Sequence, residues 1–156
     1  MKRTTLLHAE LSGLIAAFGH GDMLVIGDAG LPVPAGVRVI DLALTRGIPG
    51  VFDVLDAVLA ELVVERSAMA TEAAPDLQAE FARRDIGPVT MLSHDDFKAA
   101  SRHARAIVRT GECTPYANVA LYAGVAFRRN RCADIALQAQ MLIHKETERC
   151  RRRSWA

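Results

Sequence analysis

The chain reads as an α/β protein: a single layered domain with a central sheet flanked by helices, followed by a basic C-terminal extension. Three observations predict this. Short apolar runs of strand length, such as residues 23–26 and 89–92, alternate with stretches whose apolar residues recur at helical spacing, and that alternation marks a layered α/β fold. At 156 residues, 51% hydrophobic and 5% aromatic, the chain suits one domain with a real core rather than a disordered polymer. Third, an overall net charge of +1 hides −4 over residues 1–127 and +5 over residues 128–156. The expected division is therefore a folded domain over 1–127 and a basic extension of a different kind over 128–156.

The elements come in this order. Leu11, Leu14, Ile15 and Phe18 fall on one helical face, so residues 8–18 are expected to form a helix, with Gly19 as its left-handed stop. Residues 23–27 are an apolar run between turn signals, as a buried strand requires. A second strand is expected over 37–41, with Val37, Val39 and Asp41 on one face. Pro49 is expected as the first residue of a helix continuing through 51–60. Leu62-Val63-Val64 predicts a strand over 61–69, and residues 72–84 a helix with Pro75 in its first turn. Gly87-Pro88 breaks the pattern ahead of a short strand, 89–92. Ser93 with Asp96 three residues on has the form of a capping box, opening a helix over 95–103. Ala106-Ile107-Val108 predicts a strand over 104–110, residues 111–118 a polar loop, and 119–125 the last core strand. In the extension, Ile135, Ala139, Leu142 and Ile143 have helical spacing.

Several classes of function are set aside. No run of about 18 apolar residues exists to span a membrane, and Met1-Lys2-Arg3-Thr4-Thr5 does not open a secretory signal. Cys113, Cys132 and Cys150 are odd in number and make no C-x-x-C, so a reducing cytoplasm is expected. Cys113 is expected to be a buried, inert thiol. Gly19-x-Gly21 lacks the third glycine of a dinucleotide fingerprint, and there is no Walker loop and no H-E-x-x-H. His20-x-Asp22 lacks a third and fourth metal ligand, so no cofactor and no metal is expected. Eight basic residues in the extension can support weak, salt-sensitive binding to an anionic partner. A solvated or disordered tail is the account expected for them, and no nucleic-acid partner is expected.

The candidate site centres on residues 19–34. Histidine is the side chain suited to carry protons near neutral pH, and His20 sits between two glycines that allow a ligand close approach. It can equally be a structural hydrogen-bonder. Asp28 lies where the first strand runs out, the end of a strand at which α/β sheets collect ligands; a plain turn is the alternative. His94 falls in the first turn of a helix. Tyr116-Ala117-Asn118 puts a phenol and an amide on a loop, where they can meet hydroxyl groups or satisfy loop backbone.

In combination these pieces become specific. Gly19-His20 through Asp28-Ala29-Gly30-Leu31-Pro32, residues 40–45, His94, and Arg109-Thr110-Gly111-Glu112-Cys113-Thr114-Pro115-Tyr116-Ala117-Asn118 together resemble the D-ribose pyranase family. The related L-fucose mutarotases share G-H-x-D and R-T-G-E, whereas Leu31-Pro32 and Pro115-Tyr116 are closer to the ribose group. The resemblance implies an isomerase that interconverts the pyranose and furanose forms of D-ribose without a cofactor. It implies His20 as proton donor and Asp28, His94, Tyr116, Ala117 and Asn118 as sugar-binding positions. It also implies a homo-oligomer, a decameric ring in the ribose group, with sites between subunits. An L-fucose mutarotase and a non-enzymatic monosaccharide-binding protein are the alternatives. Residues 128–156 have no counterpart in this resemblance.

Overall fold

The computed structural model describes residues 2–126. The basic extension, with its helical spacing and Cys132 and Cys150, lies outside the described residues. In chain order the elements are α1 (Ala9–Ala16), β1 (Met23–Gly27), β2 (Arg38–Asp41), α2 (Val51–Leu59), β3 (Val64–Ala70), α3 (Pro75–Ala82), β4 (Val89–Leu92), α4 (His94–Ser101), β5 (Ala106–Arg109) and β6 (Val119–Ala123). The strands form one sheet in the order β2-β5-β1-β6-β3-β4. β2, β5 and β1 run parallel, as do β3 and β4; β6 runs antiparallel between the two groups.

The expected layering is present because β1 is buried on both faces. Leu24 and Ile26 point into one core with Leu11 and Leu14 of α1, Val54, Leu55 and Val58 of α2 and Phe81 of α3. Met23 and Val25 point into a second core with Phe97 of α4, Ile107 and Leu31. At about 25 cal/mol per Å² of apolar surface, burying side chains of this size is the main driving term for folding.

Several elements differ from the sequence expectation, each for a local reason. α1 ends at Ala16, not Phe18; Ala17 and Phe18 donate to the carbonyls three residues back, which tightens the final turn. The left-handed glycine after it is Gly21, with φ +82°, and not Gly19. His8 caps the helix, its Nδ1 accepting from Leu11 N at 3.2 Å. In β2 the inward residue is Ile40; Val39 faces out and is 41% exposed on this edge strand. Pro49 precedes α2 and does not begin it: the Ile48–Pro49 bond is cis, and Gly50 caps the helix, its N–H donating to Asp53 Oδ2. β3 starts at Val64 because Leu62 N donates to Val58 O, so the turn that closes α2 takes up residues 60–62. α3 is shorter at both ends than expected, with Pro75 as its first residue. α4 opens as foreseen, Ser93 Oγ accepting from Asp96 N at 3.1 Å, but it begins at His94 and ends at Ser101.

The strand directions gather one set of strand ends together. The carboxyl ends of β1, β3, β4 and β5 and the amino end of β6 lie along one edge of the sheet. Gly27 closes β1 at that edge. A Cβ there would stand 2.7 Å from Asn118 Oδ1 and would strike the Leu31 side chain. Gly27→Ala should therefore destabilise the fold by about 2 kcal/mol, the usual scale for overpacking, read as a lowered urea midpoint with an unchanged slope.

Candidate active site

Asp28 and Asn118 meet at this edge although 90 residues separate them. Asp28 N donates to Asn118 Oδ1 at 2.8 Å, and Asn118 Nδ2 donates to Asp28 Oδ2 at 3.0 Å. The other carboxylate oxygen of Asp28 accepts from Gly30 N at 2.9 Å, an Asx turn. Asn118 is 1% exposed, so its amide is satisfied by this pairing. A carboxylate accepts more bonds than these two, and Asp28, partly exposed, keeps lone pairs for a ligand.

The loop from β5 to β6 is organised by Glu112. Its Oε1 accepts from Cys113 N and Thr114 N, both at 2.9 Å, and from Thr114 Oγ1 at 2.8 Å. Burial pushes the Glu112 carboxyl up, but the bonds from Thr114 and Cys113 outweigh it and hold the group below its ordinary range. Thr110, fully buried, anchors the same loop by donating from Oγ1 to Gly27 O at 2.9 Å. The loop ends at Tyr116, whose φ of +63° is unusual for a bulky residue. The turn that holds it is closed by Asn118 N donating to Tyr116 O at 2.7 Å.

Across from Tyr116 stands His94, the first residue of α4. The two rings meet edge to face, with centroids 4.9 Å apart. His94 N donates to Glu72 Oε1 at 3.0 Å, and this bond from His94 is the main reason the Glu72 carboxyl sits below its ordinary range. His94 Nδ1 is buried and has no partner among the described residues. Such an atom is costly unless something hydrogen-bonds it.

Asp28, His94, Tyr116 and Asn118, with Leu31 and Pro32, line a cleft of about 200 Å³. The volume suits a small polar molecule: one carboxylate acceptor, an imidazole nitrogen and a phenol converge over an apolar floor. Ala117 does not line it, because its methyl group is fully buried in the core. His20 does not reach it either. It precedes β1, whereas Asp28 follows it, and Met23 to Asp28 alone spans about 17 Å at ~3.3 Å per residue. His20 is exposed, and its Nε2 lies 2.5 Å from Glu65 Oε2. Cys113, expected to be buried, is exposed on this loop, its thiol donating to Gly111 O at 3.5 Å. Glu72, Glu112 and Thr110 were not foreseen as parts of the site. Thr110 and Glu112 lay inside a motif that the sequence singled out, and Glu72 did not. Among the described residues, no three His, Cys, Asp or Glu side chains cluster as metal ligands, and no helix is long and apolar enough to cross a membrane.

The Glu112 arrangement has a testable signature. Glu112→Gln weakens the accepting oxygens and should cost about 1–2 kcal/mol. Because the folded carboxyl titrates below its unfolded value, the stabilisation is full above the ordinary glutamate range, ~4.3, and is lost as pH falls through the lowered folded value. The melting-temperature gap between parent and variant should therefore be widest near neutral pH and shrink in acid.

Comparison with known proteins gives the chain a family. Residues 1–126 match the model of the RbsD / FucU transport protein family. A D-ribose pyranase of Paracidovorax citrulli is 60% identical over 131 residues, covering 81% of this chain and all of that protein. The structure of Bacillus subtilis RbsD complexed with D-ribose is 42% identical, with a TM-score of 0.76, covering 81% of this chain and all of that one. A Streptococcus pneumoniae fucose mutarotase in complex with L-fucose is 26% identical, with a TM-score of 0.65 and the same coverage. With residues 1–126 matched by the family model and a relative 60% identical over its whole length, the chain belongs to the RbsD / FucU transport protein family.

Proposed function

We infer that this protein interconverts the pyranose and furanose forms of D-ribose. The observation that carries the reading is the convergence of Asp28, His94, Tyr116 and Asn118 on one small cleft, in a chain 60% identical to a D-ribose pyranase. The more distant likeness to a fucose mutarotase makes L-fucose the control substrate.

The reaction makes modest demands. A proton goes to the ring oxygen as its bond to the anomeric carbon breaks, and the anomeric hydroxyl loses its proton to give the aldehyde. After rotation, the hydroxyl one carbon nearer attacks the aldehyde carbon, loses its proton, and the carbonyl oxygen regains one. Nothing is oxidised or reduced. Asp28 is suited to accept from sugar hydroxyls, and its Asn118 partner keeps the carboxylate pointed. His94 Nδ1 gains in a hydroxyl the partner it lacks. Tyr116 presents its ring and phenol beside it. His20 is the proton carrier in this scheme, worth about 10²–10⁴-fold.

His20 lies at the wrong end of β1 to serve the cleft of its own chain. In our reading, it serves the cleft of a second copy, within the ring-shaped homo-oligomer implied by the resemblance, a decamer in the ribose group. A cytoplasmic location, expected from the cysteine spacing, belongs to the same proposal. So does the division at Phe127: the family match ends at residue 126, and a chain stopped at Phe127 should fold and exchange ribose like the parent.

The measurement is the NMR exchange rate between β-pyranose and β-furanose signals, with circular dichroism as the folding control. His20→Gln should stay folded and slow exchange by about 10²-fold or more. Asp28→Asn should chiefly raise the KM for ribose, and full activity should survive chelation of divalent ions. Mixed oligomers of His20→Gln and Asp28→Asn subunits should regain exchange at low ribose concentration, since some interfaces then carry both native residues. Parent-like exchange by folded His20→Gln removes His20 from the mechanism; no recovery on mixing removes the shared site.

A further inference from the structure

The contact between His20 and Glu65 is built in a way that its stability does not explain. Their side chains are 60% and 54% exposed, so solvent screens the pair and it contributes little to folding. Yet the backbone is distorted to place Glu65 there. Val64 faces Ala123 of β6 and Arg66 faces Tyr122, the next residue along β6, so Glu65 is the extra residue of a β-bulge. A bulge removes one residue from the alternation of the strand and re-aims its side chain. Two glycines accommodate it. At Gly87, with φ +65°, a Cβ would stand 2.6 Å from the Glu65 carbonyl oxygen, and at Gly124 one would stand 3.2 Å from Glu65 N. The neighbouring cation does not compete: Arg66 lies over the Tyr122 ring, 3.5 Å from its centroid. Among the described residues Glu65 has no Lys or Arg partner.

We propose that Glu65 is a positioning residue for His20, resting on the reading of His20 as proton carrier. An ionised carboxylate only accepts hydrogen bonds. It therefore holds the imidazole with hydrogen on Nε2, fixing both ring rotation and tautomer, as a carboxylate does for many working histidines. Nδ1 is then the nitrogen that exchanges a proton with the sugar. As Nδ1–H it donates to the ring oxygen while the bond to the anomeric carbon breaks. Left bare, it takes the proton from the hydroxyl that closes the new ring.

The test compares Glu65→Ala and Glu65→Gln in the full chain, in the parent background and with His20→Gln. Ribose exchange is read by NMR, and the His20 tautomer by its ¹⁵N shifts. Glu65→Ala should lower kcat about ten-fold, change KM by less than about two-fold, and add nothing in the His20→Gln background. Its ¹⁵N shifts should move from the Nε2–H form towards a mixture of tautomers. Glu65→Gln, which keeps an accepting oxygen, should restore part of the rate, and it carries the same comparison should Glu65→Ala fail to fold. An equal loss in both backgrounds, a change in KM alone, or an unchanged tautomer overturns the proposal. A parent that does not exchange ribose, or a His20→Gln variant that matches it, overturns the reading of His20 instead, and the ¹⁵N shifts still judge the Glu65 contact.

Discussion

The reciprocal bonds between Asp28 and Asn118 are the constraint on which the site depends. They tie the end of β1 to the start of β6 through two hydrogen bonds, one in each direction. A buried amide without partners costs on the order of 1–3 kcal/mol, so Asn118 can occupy the core only because Asp28 answers it. The same residue then fixes the next: its N–H closes the turn that holds Tyr116 in the left-handed region. Tyr116 sets the edge against which His94 rests, and His94 is held at its backbone by Glu72. Residues from four segments are thus placed by one polar pair and its neighbours.

The polarity of the sheet determines what one chain can hold. Parallel strands deliver their carboxyl ends to a common edge, and the binding residues gather there. His20 and Glu65 stand at the opposite edge, where β1 and β3 begin. A five-residue strand, rigid and buried on both faces, keeps the two edges apart, and no side-chain rotation closes that distance. On the proposed function, unlike edges of neighbouring copies meet, and such a contact repeated head to tail closes into a ring when the rotation permits. On that proposal the site is complete only in the assembly, and the length of β1 links proton chemistry to oligomerisation.

How far the sequence disclosed this varies with the range of the interaction. β1 was legible because an unbroken apolar run between turn residues has few alternatives, and Ser93 with Asp96 because capping is local. The layered fold followed from such local patterns. The four cleft residues were legible as a set only through the ordered motifs, since Asp28 alone was as good a turn residue as a ligand. Ala117 carried the same motif signal, yet its side chain is in the core. Ranges longer than a turn left no mark in the sequence: nothing near Glu72 points to His94, 22 residues on, and nothing near Glu65 points to His20. The Glu65 bulge is invisible for the same reason, because Val64-Glu65-Arg66 reads as ordinary strand until β6 is laid beside it. Local competition explains the rest. Leu62 and Val63 have strand composition, but Leu62 N is already bonded to Val58 O in the turn that closes α2, so the strand begins beyond them.

These features also show where strain is tolerated. Tyr116 at positive φ and the unpartnered nitrogen of His94 each cost on the order of 1–3 kcal/mol, and the bulge at Glu65 forfeits regular pairing. Such costs gather at the two ends of the sheet; in its middle the buried Ser67 hydroxyl alone lacks a partner among the described residues. There, Leu24, Val25, Ile26, Ile107, Val108, Val119 and Leu121 are fully buried, and each large apolar side chain contributes about 1.5–3 kcal/mol. The unpaired nitrogen of His94 becomes favourable once a hydroxyl meets it, and in our reading the exposed pair of His20 and Glu65 is covered when a second copy's cleft closes over it. A ligand and a neighbouring subunit would then relieve the costs that the isolated chain carries, so that sugar binding and assembly stabilise the fold at the places where it is weakest.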